Sequence, residues 1–351
     1  MKLFEADTIL QSIKPLIFIT TIIGLRPYGL TSNGDQITVQ FSFIYFIYSV
    51  AIISAEFIIL FWVMQYVFTY NVGSLNSYIS NLDYCGTTFF WLIANSINLW
   101  NYKNLINLFN RIAIIDRGFA EIGIKISYKK NKTLSVFSVL CALLFTCNFY
   151  FHFSYFYSDE VKFPHVAYYL DIILSSTKHM FAIQMVQLLN LLKFRYHKIN
   201  CKLKNLIEGG IDDANKIFTV GVKCDVNEIH FLRRLYDELH KIVEVINETY
   251  GVRLTIFMGM AWEISVVNAY YAITSLIRGI KSDNIDVGDV YDSGTWSVEM
   301  IVMIVYLVTS FGRTVDVADK TGVLVERLLL GVKDEDTIKE VSGGRNSILL
   351  Y

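Results

Sequence analysis

The chain has 351 residues, of which 54% are apolar, 15% aromatic and only 18% charged, with a net charge of -1. That balance lies far from the soluble norm, and basic residues segregated by loop form no patch for nucleic acid. The composition implies an all-α polytopic membrane protein whose partners are the lipid bilayer and membrane-embedded or small molecules.

In chain order, residues 1–36 read as a cytoplasmic segment. Its apolar stretch from Pro15 to Leu25 is too short to span and is followed by "RPYGL" instead of a small-residue cleavage site. It therefore reads as an interfacial or cytosolic helix and not as a signal peptide. Residues 37–311 hold six stretches able to cross about 30 Å of hydrocarbon. They are Ile37 to Met64, Ser77 to Trp100, Leu134 to Tyr157, Val166 to Leu192, Leu254 to Ile277 and Thr295 to Phe311. None of the three prolines (Pro15, Pro27, Pro164) falls inside a span, so kinks are not a main device. Residues 312–351 form a tail that is atypical after about Glu340.

Lysine and arginine orient these elements. The N-terminal segment carries three, the first loop none, the second loop seven and the third only Lys162. The fourth loop carries nine between Arg195 and Lys241, the fifth two among four Asp, and the tail six. By the positive-inside rule the N-terminus, the second and fourth loops and the tail are cytoplasmic. The sequons at Asn131 and Asn247 then face the cytoplasm and read as chance matches. Five scattered cysteines (Cys85, Cys141, Cys147, Cys201, Cys224) form no CxxC, so neither a zinc site nor a necessary disulfide is expected.

The extension 195–250 is not a floppy linker at its far end. Ile229, Leu232, Tyr236, Leu239, Val243, Ile246 and Tyr250 recur at spacings of 3 and 4, leading straight toward span five. One long helix is expected, with the stripe packing either on its own chain or between subunits.

The internal N-terminus, the basic extension of spans four and five, and "NEIHFLRRLYDELHKIVEVINETYG" running into a membrane helix resemble the insect gustatory receptor family. "LIFITTIIGLRPYGL" is similar to that family's opening segment and "DVADKTGVLVERLLLG" to its stretch after span six. The resemblance implies a ligand-gated, non-selective cation channel subunit in the plasma membrane, opened by a small-molecule tastant. It also implies a tetramer around a central pore, built with copies of itself or other gustatory receptor subunits, with no enzymatic activity and no cofactor. In that family a seventh span lines the pore and carries Thr-Tyr, five residues, then Gln-Phe. Here Thr69-Tyr70 and Thr249-Tyr250 lack the Gln-Phe, and Gln40-Phe41 stands alone. The expectation is therefore a form lacking that span, with both termini cytoplasmic, that does not conduct alone.

Ionisable groups inside a membrane cost a few kcal/mol and usually face a cavity or partner. Glu56, Asp83, Asp171 and Glu299 fall at similar depth in the outer leaflet, with Tyr84, His152, Tyr155, Tyr168, Asn268, Tyr271 and Trp296 nearby. An outward cavity lined by them suits a polyhydroxylated or cationic ligand. Alternatively the aromatics form an interfacial belt and each acid reaches headgroups. Deeper, Lys178 matches Glu263 in depth and is expected to pair with it, as a structural ion pair or as a cavity floor.

Other classes fit less well. A G-protein-coupled receptor needs an external N-terminus and Asp-Arg-Tyr after span three; a voltage-gated potassium channel needs repeated arginines in span four and TVGYG. A secondary transporter or other small-molecule carrier is the alternative, but the halves show no repeat correspondence. No nucleotide loop, nucleophile elbow or HExxH occurs.

Overall fold

The computed structural model describes residues 9–24, 28–33, 36–70, 86–156 apart from 87, 90 and 98, 165–208, 226–282 and 287–331. The elements are α1 (Ile9–Ile22), β1 (Tyr28–Asn33), β2 (Gln36–Phe41), α2 (Phe43–Tyr70) and α4 (Tyr102–Glu121), with a helix α3 described over 91–97 before α4. Four long helices follow: α5 (Lys129–Phe156), α6 (His165–Glu208), α7 (Val226–Ser282) and α8 (Val287–Gly331).

Length already separates these helices from those of a soluble bundle. At 44, 57 and 45 residues, α6, α7 and α8 run about 65 to 85 Å, more than twice a hydrocarbon core of about 30 Å. Among the described residues, Phe43–Trp62, Ile229–Lys281 and Ser293–Arg327 are long and apolar enough to cross a membrane. Their outward faces are apolar too: Phe43 and Phe61 on α2, Trp262 and Ile273 on α7, and Val305 and Val308 on α8 are exposed. In water such faces would associate; in lipid they meet their proper solvent. Half of the Ser77 to Trp100 stretch, residues 77–85 with 87, 90 and 98, lies outside the described residues.

Two boundaries differ from the hydropathy reading. Ile37 to Phe41 belongs to β2, not to the first span, and pairs antiparallel with β1, Tyr28 opposite Phe41. The reason lies in the alternation of Ile37, Val39 and Phe41 with Thr38 and Gln40, a period of two that a helix cannot use. Asn110 of α4 holds this hairpin, its amide bonding both the N–H and the carbonyl of Val39 at 3.4 and 3.5 Å. Helix α1 begins at Ile9, ahead of Pro15, because Ile9, Leu10 and Ile13 bury against the bundle.

The chain leaves α1 through Gly24, whose φ of +74° puts it in the left-handed region. A Cβ there would stand 2.8 Å from Ile52 Cδ1 and 3.1 Å from Ile52 Cβ. Gly24→Ala is therefore expected to cost about 1–3 kcal/mol, seen as a lower melting temperature of the detergent-purified protein. An unchanged melting temperature would show that this turn is not constrained.

Helix α6 is the hub. It buries residues on every side, as a helix surrounded by others must. Four of its polar side chains bond to four different neighbouring helices, which fixes their packing around it. Thr177 accepts from the Trp91 indole of α3, Gln187 accepts from Ser135 of α5 at 2.6 Å, and Gln184 donates to Tyr250 of α7. Asn200 donates to the Val317 carbonyl of α8 at 2.7 Å and accepts from Thr321.

Further along α6, Arg195 is fully buried and grips Asp116 of α4 through two nitrogens, at 2.8 and 2.6 Å. Its third bond goes to the Leu191 carbonyl at 2.7 Å, and Tyr128 donates to the same carboxylate. Burial, and after it the Asp116 charge, push the Tyr128 hydroxyl well above the ordinary phenol range, so it stays a donor.

Candidate functional site

Where the N-terminal parts of α6 and α8 meet, ionisable groups gather. Lys178 and His179 sit side by side on α6, and Trp296 and Glu299 share a face of α8 at a spacing of three. His179 Nε2 and Glu299 Oε1 stand in direct contact with both side chains buried, an ion pair when the imidazole is protonated. The Lys178 ammonium, on a residue only 5% exposed, lies 5.9 Å from the Trp296 ring centre. A desolvated cation over an indole face is the strong form of this attraction.

Beside the ion pair opens a recess of about 470 Å³. Its polar end is His179 and Glu299, and its walls include Tyr291, Thr295, Val298 and Val302. Gly294 also lines it, with nothing within 4 Å of where a Cβ would stand. Its size is within the range of small-molecule sites, and one charged end against apolar walls would orient a ligand.

Other candidates fall elsewhere. Glu56 is 4% exposed on α2, and its Oε2 finds no hydrogen-bond partner among the described residues. Asn268 bonds to the Ile264 carbonyl of its own helix at 2.9 Å, and Tyr271 packs on Tyr270. Asp83 and Tyr84, and the side chains of His152, Tyr155, Tyr168 and Asp171, lie outside the described residues. Lys178 and Glu263 are not brought together: Glu263 points outward, away from the face of Phe257, Met260, Ala261 and Ile264 that buries. The stripe on α7 packs on its own chain, with Leu232, Leu239, Ile246 and Tyr250 buried, Tyr236 half-buried against Tyr196, and Val243 exposed.

His179 and Tyr291 were not marked by the sequence. An imidazole next to Lys178 in an apolar run carries the same signal as the lysine, an ionisable group at membrane depth.

Long helices with lipid-facing apolar sides and a polar-stitched interior define a helical membrane protein. The model of the 7tm chemosensory receptor family matches residues 13–342, and the chain belongs to that family. A comparison with curated proteins finds no match. The family is one of chemoreceptors, not of enzymes, which gives the chain a bilayer and small-molecule ligands as partners.

Proposed function

We propose that the chain is a gustatory-type, ligand-gated cation channel subunit of the plasma membrane that binds a small tastant in the recess between α6 and α8. In this reading six spans cross the bilayer, the N-terminus and the tail are cytoplasmic, and the recess opens outward. The conducting assembly is a tetramer of gustatory receptor subunits.

The observation that carries the reading is the buried His179–Glu299 pair at the end of the apolar recess, with Lys178 and Trp296 adjoining. A polyhydroxylated ligand needs many polar partners and would leave hydroxyls unsatisfied against Val298 and Val302. A compact apolar molecule with one cationic or hydrogen-bonding head fits better, its head competing for Glu299. Ligand binding would then act on the α6–α8 contact, which continues inward through Thr314, Asn200 and Thr321. The unbroken courses of α6, α7 and α8 speak against a transporter, whose sites use interrupted helices.

The test is agonist-evoked calcium entry in cells expressing the chain with partner subunits, screened with protonatable amines and sugars. Glu299→Gln is expected to raise the half-maximal concentration about 10-fold to 100-fold at unchanged surface level, the loss of one charge-assisted bond. An unaltered dose response in Glu299→Gln and Lys178→Met together would rule this recess out as the ligand site.

A further inference from the structure

The groove between α4 and the first turns of α7 carries a second site. Asn95 of α3 accepts from Arg253 of α7 at 3.2 Å, and a Cβ on Gly118 of α4 would stand 2.8 Å from Leu235 Cδ2 of α7. Residue numbers rise along α3 and α4 as they fall along α7, so the two courses are antiparallel.

Each helix brings the same row to this contact. On α4 it is Ile114, Arg117, Gly118 and Glu121; on α7 it is Phe231, Arg234, Leu235 and Glu238, at identical offsets of three, four and seven. Those offsets share one face of a helix. Antiparallel helices that meet at Gly118 and Leu235 are related by a local two-fold axis, which turns both rows to the same side of the pair. One recess of about 490 Å³ is lined by both rows in full, a size within the range of small-molecule sites.

Arg117 and Arg234 hold matching places in the two rows, one on each wall. Each has a glutamate one turn further along its own helix, but Glu238 bonds to Lys241 at 2.7 Å instead. Among the described residues neither arginine has an ion-pair or hydrogen-bond partner. Two guanidinium groups on one recess repel each other, and an anion between them reverses that cost. Because the helices are antiparallel, Glu121 and Glu238 stand at opposite ends of the groove. Apolar surface comes from Ile114, Phe231 and Leu235.

We propose that this recess binds a phosphomonoester. Its single phosphate lies between Arg117 and Arg234, and its compact apolar body lies on Phe231, Leu235 and Ile114. Guanidinium forks match phosphate oxygens in pairs. The acids at both ends reject a polyanion, so the ligand carries one phosphate and not a chain of them. A soluble ester and a lipid such as phosphatidic acid share this chemistry. The recess faces the cytoplasm in the orientation proposed above; the binding itself depends on no orientation, agonist or current.

The test is isothermal titration calorimetry of the detergent-purified full chain with phenyl phosphate, inorganic phosphate and phenol. Phenyl phosphate is expected to bind at least about tenfold more tightly than either fragment, since only it uses both parts of the recess. The double variant Arg117→Ala, Arg234→Ala is expected to bind it about a hundredfold more weakly, and Arg117→Lys, Arg234→Lys about tenfold. Both arginines are exposed and unpaired, so both variants are expected to elute as folded protein. Adenosine monophosphate and dihexanoyl phosphatidic acid then separate the sources: the tighter of the two supports a soluble or a lipid ligand at the same site. Equal affinity of the wild type and the Ala double, or no binding of phenyl phosphate at millimolar concentration, would overturn the site. Inorganic phosphate binding as tightly as phenyl phosphate would overturn the role of the apolar wall.

Discussion

Asp116→Ala is expected to be among the most damaging single changes in this chain, costing about 3–5 kcal/mol. Arg195 is fully buried, and the substitution removes both partners of its fork while leaving the guanidinium where water cannot reach it. Only the bond to the Leu191 carbonyl remains. Loss of most of the monodisperse peak in size-exclusion chromatography of detergent extracts is the expected readout. Asp116→Leu combined with Arg195→Met removes the whole pair and is expected to recover much of that peak, since apolar replacement of a buried pair is commonly neutral. Tyr128→Phe, which leaves the fork intact, is expected to cost only about 1 kcal/mol. If Asp116→Ala behaved like wild type, the clamp between α4 and α6 would be decorative.

The second large effect is expected at Arg253. This residue of α7 is 1% exposed, with its guanidinium carbon 4.5 Å from the Phe181 ring centre and 5.7 Å from that of Trp91. One nitrogen donates to Asn95 at 3.2 Å. Phe257 and Tyr250 complete the cluster, their rings 5.4 and 6.2 Å from Phe181. α3, α6 and α7 therefore meet on one planar cation. Arg253→Ala removes two desolvated cation–ring contacts and a hydrogen bond and opens a cavity, together about 3–5 kcal/mol. Arg253→Lys keeps the charge but cannot stack its plane on the rings, so an intermediate melting temperature is expected. Equal stability of the Lys and wild-type proteins would show that charge alone suffices there.

How much of this was legible depends on which physical variable the sequence records. Hydropathy records where a helix is apolar along its length, and α2, α7 and α8 carry stretches long and apolar enough to cross a membrane. It does not record azimuth. Lys178 and Glu263 match in depth, yet the rotation of α7 sends Glu263 outward, and Lys178 meets Trp296 instead. The stripe on α7 has the same flaw on a smaller scale. A strict alternation of 3 and 4 drifts against a helix of 3.6 residues per turn, so Leu235 and Ile242 are buried and Val243 is exposed. The strand Gln36–Phe41 was hidden because an apolar window averages over its alternation. The pairing of Asp116 with Arg195 is not legible in the sequence, since it joins residues 79 apart. Trp296 and Glu299 were legible as neighbours because a spacing of three fixes them on one helix face.

The central claim is that the recess by Glu299 faces the outside and holds the ligand. Thr295 lines it, so Thr295→Cys offers a handle for a membrane-impermeant thiol reagent applied to intact cells. The prediction is labelling from outside, above the level of the unsubstituted chain, slowed when agonist is present. Labelling only after permeabilisation, or labelling at the same rate with and without agonist, would contradict it.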